Sequence, residues 1–458
     1  MLVSELIDGV EGHPIGAVHV NRVDIDSRVC EPGSLFFALN GTKARGTSFI
    51  ADAVARGAVA VVVSEAVSPT VPVLVVPESQ IHDLMVAASY RIVGGINGVR
   101  LVGVTGTNGK TSVTNFVAQL CSSLGVPSST IGTLTNARTT PAAPDLARIL
   151  HATRASWDRD GVVAMEVSSH ALDQHRIETL HFEVSVFTNL THDHLDYHRT
   201  MENYFEAKAQ LFSPGRTDHA VICSDDAWGQ RLVSQRPDAI GVATKDLSDV
   251  VVTDNAVSFT WRGHPVSARV GGQFNVTNVF LACEAALALG FAERDIANAA
   301  SAIHAVPGRF EVVATSPLVI VDYAHTPDGL ERVLRDVRVR TSGRVIAVFG
   351  CGGDRDHEKR PVMGSVSSRL ADVVIITSDN SRSEDPVRIA AEIRGGCDGD
   401  ADVHIELDRA RAIDHAISIA RQSDVVVIAG KGHEKTQETN GFVVDFDDVA
   451  VARERLNR

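Results

Sequence analysis

The residues best suited to chemistry begin at Thr105-Gly106-Thr107-Asn108-Gly109-Lys110-Thr111, where the apolar run 102–104 breaks into a glycine turn. Gly106 and Gly109 let backbone N–H groups converge on phosphate oxygens. Lys110 supplies a point charge to the outer phosphates, and Thr111 offers Mg²⁺ a hydroxyl at the start of a helix. The strict G-x-x-x-x-G-K-[ST] pattern asks for glycine where this chain has Val104, so an ordinary glycine-rich strand-to-helix turn is the competing reading. Downstream, Met165-Glu166-Val167-Ser168 closes an apolar run, and a carboxylate at a strand end suits Mg²⁺ as well as it suits solvent. Thr191-His192-Asp193-His194-Leu195-Asp196-Tyr197-His198 invites a zinc reading, yet its spacing matches no known zinc pattern, which favours a polar loop with one or two functional members. Lys208 lies on an amphipathic stretch, 204–212, where by itself it reads as a solvated amine.

Four more polar clusters follow apolar runs near the C-terminus: Asp322-Tyr323-Ala324-His325-Thr326-Pro327, the turn 350–356 with Arg355 among glycines, Asp379-Asn380-Ser381-Arg382-Ser383-Glu384, and Gly430-Lys431-Gly432-His433-Glu434. One such turn is only a turn. Four at the same edge of one sheet make a ligand pocket.

The elements that must position these groups alternate strand and helix. Residues 1–98 carry strand patterns at 34–39, 59–63 and 71–76 and helical patterns at 49–56 and 81–92, a small α/β unit. Gly94-Gly95-Ile96-Asn97-Gly98 reads as a linker. The segment 99–307 opens with the phosphate loop and adds strands at 162–167 and 184–188. The segment 308–458 carries strands at 318–322, 345–350, 373–378 and 425–429. Strand–helix alternation implies largely parallel sheets, whose ligands gather at the carboxyl ends of the strands.

At 458 residues the chain exceeds one core, and three domains are expected. A formal charge of -14 with no Lys/Arg-rich block argues against nucleic acid or an anionic membrane as partner. The start MLVSELIDGVEG lacks a basic segment followed by an apolar core, and no apolar run approaches the length of a membrane span; these predict a cytoplasmic protein without membrane insertion. The six cysteines are scattered without a C-x-x-C pair, which predicts buried thiols rather than disulfides or zinc.

Taken in order, these stretches resemble the Mur ligase family, and within it the UDP-N-acetylmuramoyl-tripeptide synthetases (the MurE type), over essentially the whole chain. The matching stretches are Asp26-Ser27-Arg28, TGTNGKT at 105–111, Thr139-Thr140-Pro141, MEVSSHAL at 165–172, Gln174-His175-Arg176, DHLDYH at 193–198, Lys208, FNVTN at 274–278, DYAHTP at 322–327, GCGGDRD at 350–356, KRP at 359–361, DNSRSEDP at 379–386 and GKGHE at 430–434. The resemblance implies an α/β, three-domain architecture: a UDP-substrate domain over 1–98, a P-loop NTPase-like parallel sheet over 99–307 and a Rossmann-like amino-acid domain over 308–458. It implies an ATP-dependent ligase that extends UDP-MurNAc-L-Ala-D-Glu by its third amino acid through an acyl phosphate. A folylpolyglutamate synthetase, a natural-product ligase of similar fold and a non-catalytic nucleotide-binding protein are the alternatives.

Carried over by residue, the resemblance implies ATP on Gly106, Thr107, Asn108, Gly109, Lys110, Thr111 and Ser112, with Asn275 near the base and Arg309, Asp322 and His325 closing from the third domain. Thr111 and Glu166 are expected to hold one Mg²⁺, and His194 with a carbamylated Lys208 a second; Lys110, Glu166, His194 and Lys208 form the catalytic set. The UDP-sugar dipeptide is expected on Ile25, Ser27, Thr139, Thr140, Ser168, Gln174 and Arg176. The incoming amino acid is expected on Arg355, Asp379, Asn380, Ser381, Arg382, Gly430 and Glu434. A monomer is expected. Family members that add meso-diaminopimelate usually carry Asp-Asn-Pro-Arg; this chain keeps Arg382 but has Ser381 in place of the proline. Because a carboxylate near Arg382 gains a charge-assisted contact that a lysine ammonium forfeits, meso-diaminopimelate is favoured over lysine, ornithine or diaminobutyrate.

Overall fold

A computed structural model describes residues 1–10, 12–41 and 44–457. The chain packs as two compact units, one of 1–103, 126–185 and 207–218, the other of 104–125, 186–206 and 219–458.

In the first unit, strands β1 (Arg22–Asp24), β2 (Ser34–Phe37), β3 (Ala58–Val63) and β4 (Val73–Val75) form a parallel sheet in sequential order. Side chains alternate across a strand. Leu35 and Phe37 therefore face the helix Glu78–Ile92 side of the core, while Phe36, Val61 and Val63 pack on the other side with Ile50 and Ala53. All four residues of β2 are buried, as a parallel strand covered on both faces requires. Gly94, Gly95 and Gly98, read as a linker, take positive φ in the turns that precede the next strand.

That strand, β5 (Val99–Thr105), enters a six-stranded sheet with β6 (Ser128–Ile131), β7 (Gly161–Glu166), β8 (Phe182–Phe187), β9 (Thr217–Cys223) and β10 (Ile240–Val242), in the order β10-β9-β8-β5-β7-β6. The pairs β6–β7 and β9–β10 run parallel. The chain leaves β5 toward one side of the sheet and returns on the other, so the turn after β5 lies at the topological switch point, where such sheets bind ligands.

In the second unit the helix Lys110–Ser123 packs against the apolar helix Phe274–Ala288. A three-stranded antiparallel meander, β11 (Ser248–Val252), β12 (Val257–Trp261) and β13 (His264–Ala268), sits between the two larger sheets in sequence. The last sheet has the order β14-β15-β19-β16-β17-β18, from β14 (Glu311–Thr315), β15 (Leu318–Asp322), β16 (Val345–Phe349), β17 (Val373–Ile376), β18 (Asp402–Ile405) and β19 (Val425–Ala429). All its pairs are parallel except the edge strand β14. Ile320, Ala347, Phe349, Val374, Ile376 and Val427 form one core face; Val319, Val321, Ile346, Val348, Ile375 and Val426 form the other. A hairpin, β20 (Thr436–Thr439) and β21 (Phe442–Asp445), follows.

The parallel strands lie close to their expected positions, most of them ending one or two residues early, because the polar turn residues leave the ladder as soon as the loop begins. The meander, the edge strand β14 and the hairpin are additions. All six cysteines are free thiols, five buried and Cys397 half-buried. Among the described residues no helix is long and apolar enough to cross a membrane.

Candidate active site

The phosphate loop is built by two glycines in conformations other residues avoid. Gly106 has φ +146° and Gly109 φ +86°; a Cβ at Gly106 would collide with the Thr188 hydroxyl, and one at Gly109 would lie 2.7 Å from Asn278 Oδ1. Thr107 N–H donates to Asn189 O (2.9 Å), Asn108 N–H to Asn189 Oδ1 (3.0 Å), and Thr188 Oγ1 to Asn108 O (2.6 Å). The turn is thus held from behind by the residues just past β8, at the start of the helix Lys110–Ser123. Lys110 Nζ donates to Gly106 O (2.9 Å) and Thr107 O (2.8 Å). The cradle fits a triphosphate: a loop with glycine at its two tightest positions, a helix start and a lysine folded over it.

Residues from distant sequence close on this loop. Arg309 Nη2 donates to Thr111 Oγ1 (3.0 Å), its guanidinium lies 4.1 Å from the Tyr323 ring centroid, and its buried Nε has no hydrogen-bond partner. Tyr323 in turn contacts the His325 and His433 rings, at 4.5 and 5.1 Å between centroids. Asn108 Nδ2 donates to Asp328 Oδ2 (2.7 Å), which also pairs with Arg332 (2.9 Å). Asp322, at the end of β15, accepts from Phe310 N–H (2.6 Å) and Ala324 N–H (2.8 Å); burial pushes its carboxyl up against the opposing pull of Arg309. His325 is pushed down to about 4, first by burial and then by the Lys359 ammonium, so it is a neutral imidazole at physiological pH. Asp193 is held below the ordinary carboxylate range despite burial, by the His194 ring first and, with smaller effect, by the Lys110 and Lys359 ammonium groups. His194, half-exposed with φ +54°, sits beside it, Nε2 to Oδ2 3.4 Å. Asn275 is buried and committed to its own surroundings, donating to Gly271 O (2.6 Å) and accepting from Asn278 (2.9 Å).

The first unit gathers a second group. Glu166, 1% exposed at the end of β7, accepts from Thr133 N–H (2.8 Å) and Thr133 Oγ1 (3.3 Å), and Thr133 Oγ1 lies 3.4 Å from Thr139 Oγ1. Thr140 Oγ1 donates to Glu166 O (2.9 Å) and accepts from Ser168 N–H (3.0 Å); Arg176 Nη1 donates to Thr140 O (3.0 Å) and its Nη2 to Gln174 Oε1 (2.5 Å). Ile25 and Ser27 line a cleft of about 860 Å³ with Arg28, Phe49, Arg138 and Arg148, large enough for a nucleotide-sized ligand. Lys208 departs from the solvated-amine reading: it is 1% exposed on the helix Met201–Ala209. Its neighbours Tyr204, Phe205 and Ala207 are buried too, so the side taken for solvent is covered.

The four polar turns of the last sheet do share one edge, since β15, β19, β16 and β17 are parallel neighbours. Asn380 Nδ2 donates to Glu434 Oε2 (2.8 Å), and Lys431, fully buried, donates to Glu434 Oε2 (3.1 Å) and Asn380 Oδ1 (3.2 Å) with Asp379 Oδ1 at 3.9 Å. Arg382 Nη1 donates to Gly353 O (2.6 Å). Gly430 has φ +109°, and a Cβ there would meet Asp379 Oδ2 at 3.0 Å. Arg355 stays exposed on the neighbouring turn. Sequence reasoning singled out neither Lys431 nor Arg360. The fully buried Arg360 ties Glu384 (3.0 Å) and Glu392 (2.7 Å) to Gly352 O (3.2 Å), and its hydrogen bonds hold the Glu384 carboxyl down to about 2. A charged residue inside a helical run, as Arg360 is, would have been the signal. Among the described residues, no three His, Cys, Asp or Glu side chains group as a metal site.

Three family descriptions match successive parts of the chain: "Mur ligase family, catalytic domain" over 19–94, "Mur ligase middle domain" over 104–286 and "Mur ligase, glutamate ligase domain" over 308–432. The chain is 41% identical to the UDP-N-acetylmuramoyl-L-alanyl-D-glutamate--2,6-diaminopimelate ligase of Synechococcus elongatus, covering 95% of this chain and 93% of the relative. It is 40% identical to the protein of that name from Pseudomonas putida, covering 95% of each. A solved structure of a ligase of the same name aligns over 100% of this chain and 99% of its own, with 32% identity and a TM-score of 0.68.

Proposed function

The chain belongs to the Mur ligase family, and on that premise we propose that it is an ATP-dependent ligase joining a diamino acid, meso-diaminopimelate, to UDP-N-acetylmuramoyl-L-alanyl-D-glutamate in peptidoglycan synthesis. In this reading the segments 1–98, 99–307 and 308–458 act as UDP-substrate, ATP and amino-acid domains, and the enzyme works as a cytoplasmic monomer. The observation that carries it is the convergence of Lys110, Arg309 and the loop of Gly106 and Gly109, because two anions, a triphosphate and a carboxylate, must be brought into contact before either reacts.

The substrate carboxylate oxygen attacks the γ-phosphorus, the bond to ADP breaks, and an acyl phosphate forms. The amine of the incoming amino acid then attacks the acyl carbon through a tetrahedral intermediate and expels phosphate. Lys110 and Arg309 neutralise the phosphate oxygens, and neutral His325 adds no charge of its own. Thr111 and Glu166 bring the hard oxygen donors Mg²⁺ prefers, and His194 with a Lys208 carbamate would serve a second ion; Mg²⁺ there supplies charge neutralisation. A carbamate is the form of Lys208 that suits a second cation, since an ammonium repels a cation whereas a carbamate offers it two oxygens. Glu434 would take the amino acid's distal ammonium, and Arg382 its distal carboxylate by a charge-assisted bond.

The test is ADP release and product mass when purified protein meets ATP, Mg²⁺, UDP-MurNAc-L-Ala-D-Glu and, in turn, diaminopimelate, lysine, ornithine and diaminobutyrate at equal concentration. Diaminopimelate should give the highest initial rate, and Arg382→Ala should lower that rate at least tenfold. A preference for lysine or ornithine, or indifference to loss of Arg382, removes the diaminopimelate assignment; no ADP release with any of them removes the ligase.

A further inference from the structure

Resting on the ligase reading, we infer that the hairpin β20–β21 sets amino-acid selectivity, with Thr439 as the positioning residue that aims Arg382. Arg382 has φ +50°, a left-handed backbone that non-glycine residues seldom adopt, so something must hold it there. The hairpin does: Arg382 N–H donates to Glu438 O (3.2 Å) and Asn440 N–H donates to Arg382 O (2.6 Å), which pairs Arg382 with Thr439 as a one-residue parallel bridge. The residues before it are held from the same side. Ser381, 1% exposed, donates its hydroxyl to Thr439 Oγ1 (3.1 Å); Glu438 N–H donates to Asn380 Oδ1 (3.0 Å); Gln437 Nε2 donates to Asp379 O (3.3 Å). Each residue from Asp379 to Arg382 thus has a bond to the hairpin.

A hairpin kept only for packing would bury an apolar face. Here all four residues of β21 are exposed, with Phe442 at 76%, and the contacts of β20 to the loop are polar and directed. A two-stranded hairpin is marginal without support, so hairpin and loop order each other. With its guanidinium already on Gly353 O, Arg382 is fixed from both ends, and the Ser381–Thr439 bond is the side-chain tie that settles the backbone just before it.

The test is steady-state kinetics of Thr439→Val, which keeps the shape and removes the hydroxyl, with Ser381→Ala, the double variant and Thr439→Ser. Thr439→Val should raise KM for diaminopimelate roughly five- to tenfold, with KM for ATP and for the UDP-dipeptide, and kcat, within about twofold of wild type, and Ser381→Ala should raise KM for diaminopimelate to the same extent. The double variant should be no worse than either single one, because both remove one bond, and Thr439→Ser should restore KM. Unchanged KM in Thr439→Val, additive losses in the double variant, or equal losses in kcat and in every KM would each overturn the inference while leaving the ligase standing. Wild-type protein that ligates no diamino acid overturns the ligase and this inference together.

Discussion

His325 shows how far an environment can move one side chain. Burial, with the Lys359 ammonium behind it, brings its imidazole to about 4 against about 6.5 in an unfolded chain. Between those values the unfolded chain binds the proton and the folded one does not, so stability from this group is full above 6.5 and is lost as pH falls toward 4. Acidification from pH 7 to 5 should therefore cost wild type on the order of 1 kcal/mol more than it costs His325→Gln, read from denaturant midpoints at the two pH values. Equal losses would mean that the imidazole titrates normally. Lys208 carries the second residue-scale expectation: Lys208→Ala should be nearly inactive and partly rescued by short carboxylic acids, because it is the carbamate oxygens that are proposed to meet Mg²⁺. Failure of formate, acetate and propionate alike to raise its rate would count against the carbamate. The sequence carried the lysine's place in a motif but not its burial, since an amphipathic pattern shows which faces differ and not what covers the polar one. Lys431 was read only as part of a polar turn for a similar reason: it stands between two glycines, and only the fold turns it inward onto Asn380 and Glu434.

At the scale of elements, apolar runs closed by Gly or Asp made every inner strand of the last sheet legible, because a parallel strand buried on both faces leaves no polar position inside it. The hairpin was legible as well, and missed: Thr439-Asn440-Gly441-Phe442 is an Asn-Gly pair between strand-forming residues, and both central residues have positive φ, as a two-residue turn needs. The meander turn at Arg262-Gly263 has the same φ signature without the Asn that announces it. Arg409 and Asp448, both fully buried, form a two-armed pair at 2.7 Å, and Arg409 also donates to Ala429 O (2.9 Å) and Ser378 O (3.3 Å). The pair pins the last two helices to the ends of β17 and β19. Asp448→Ala leaves a buried guanidinium unpaired and should cost about 3–5 kcal/mol, whereas replacing both partners with apolar residues of similar volume should recover most of it; urea midpoints of the two variants decide. A loss below about 1 kcal/mol in the single variant would show that water reaches the pair.

At the scale of the molecule, ligand and stability are linked. A ligand that binds only the folded chain stabilises it by about 2.7 kcal/mol at a hundred times its Kd, so Mg²⁺-ATP should raise the Tm of wild type by several degrees. Lys110→Ala should keep the Tm of the protein alone and lose the ATP-dependent rise together with turnover; a variant still shifted by ATP would separate the loop from nucleotide binding. The order of motifs along the chain disclosed the family, and several of them, TGTNGKT, DYAHTP and GKGHE among them, follow the ends of strands, whereas the division into compact units follows packing and is not written in sequence order. The buried thiols bear on how such a molecule opens. Burial pushes Cys30 up to about 11 and Cys223 and Cys351 up to about 12, and Cys121 and Cys283 are equally enclosed, so an alkylating reagent must wait for local opening before any of them reacts. These cysteines stand in the connection between β1 and β2, the helix after the phosphate loop, the end of β9, the helix Phe274–Ala288 and the turn before Arg355. The chain therefore carries five built-in clocks, and the rate at which each is alkylated with and without ATP times the breathing of one region of the fold, with no label added.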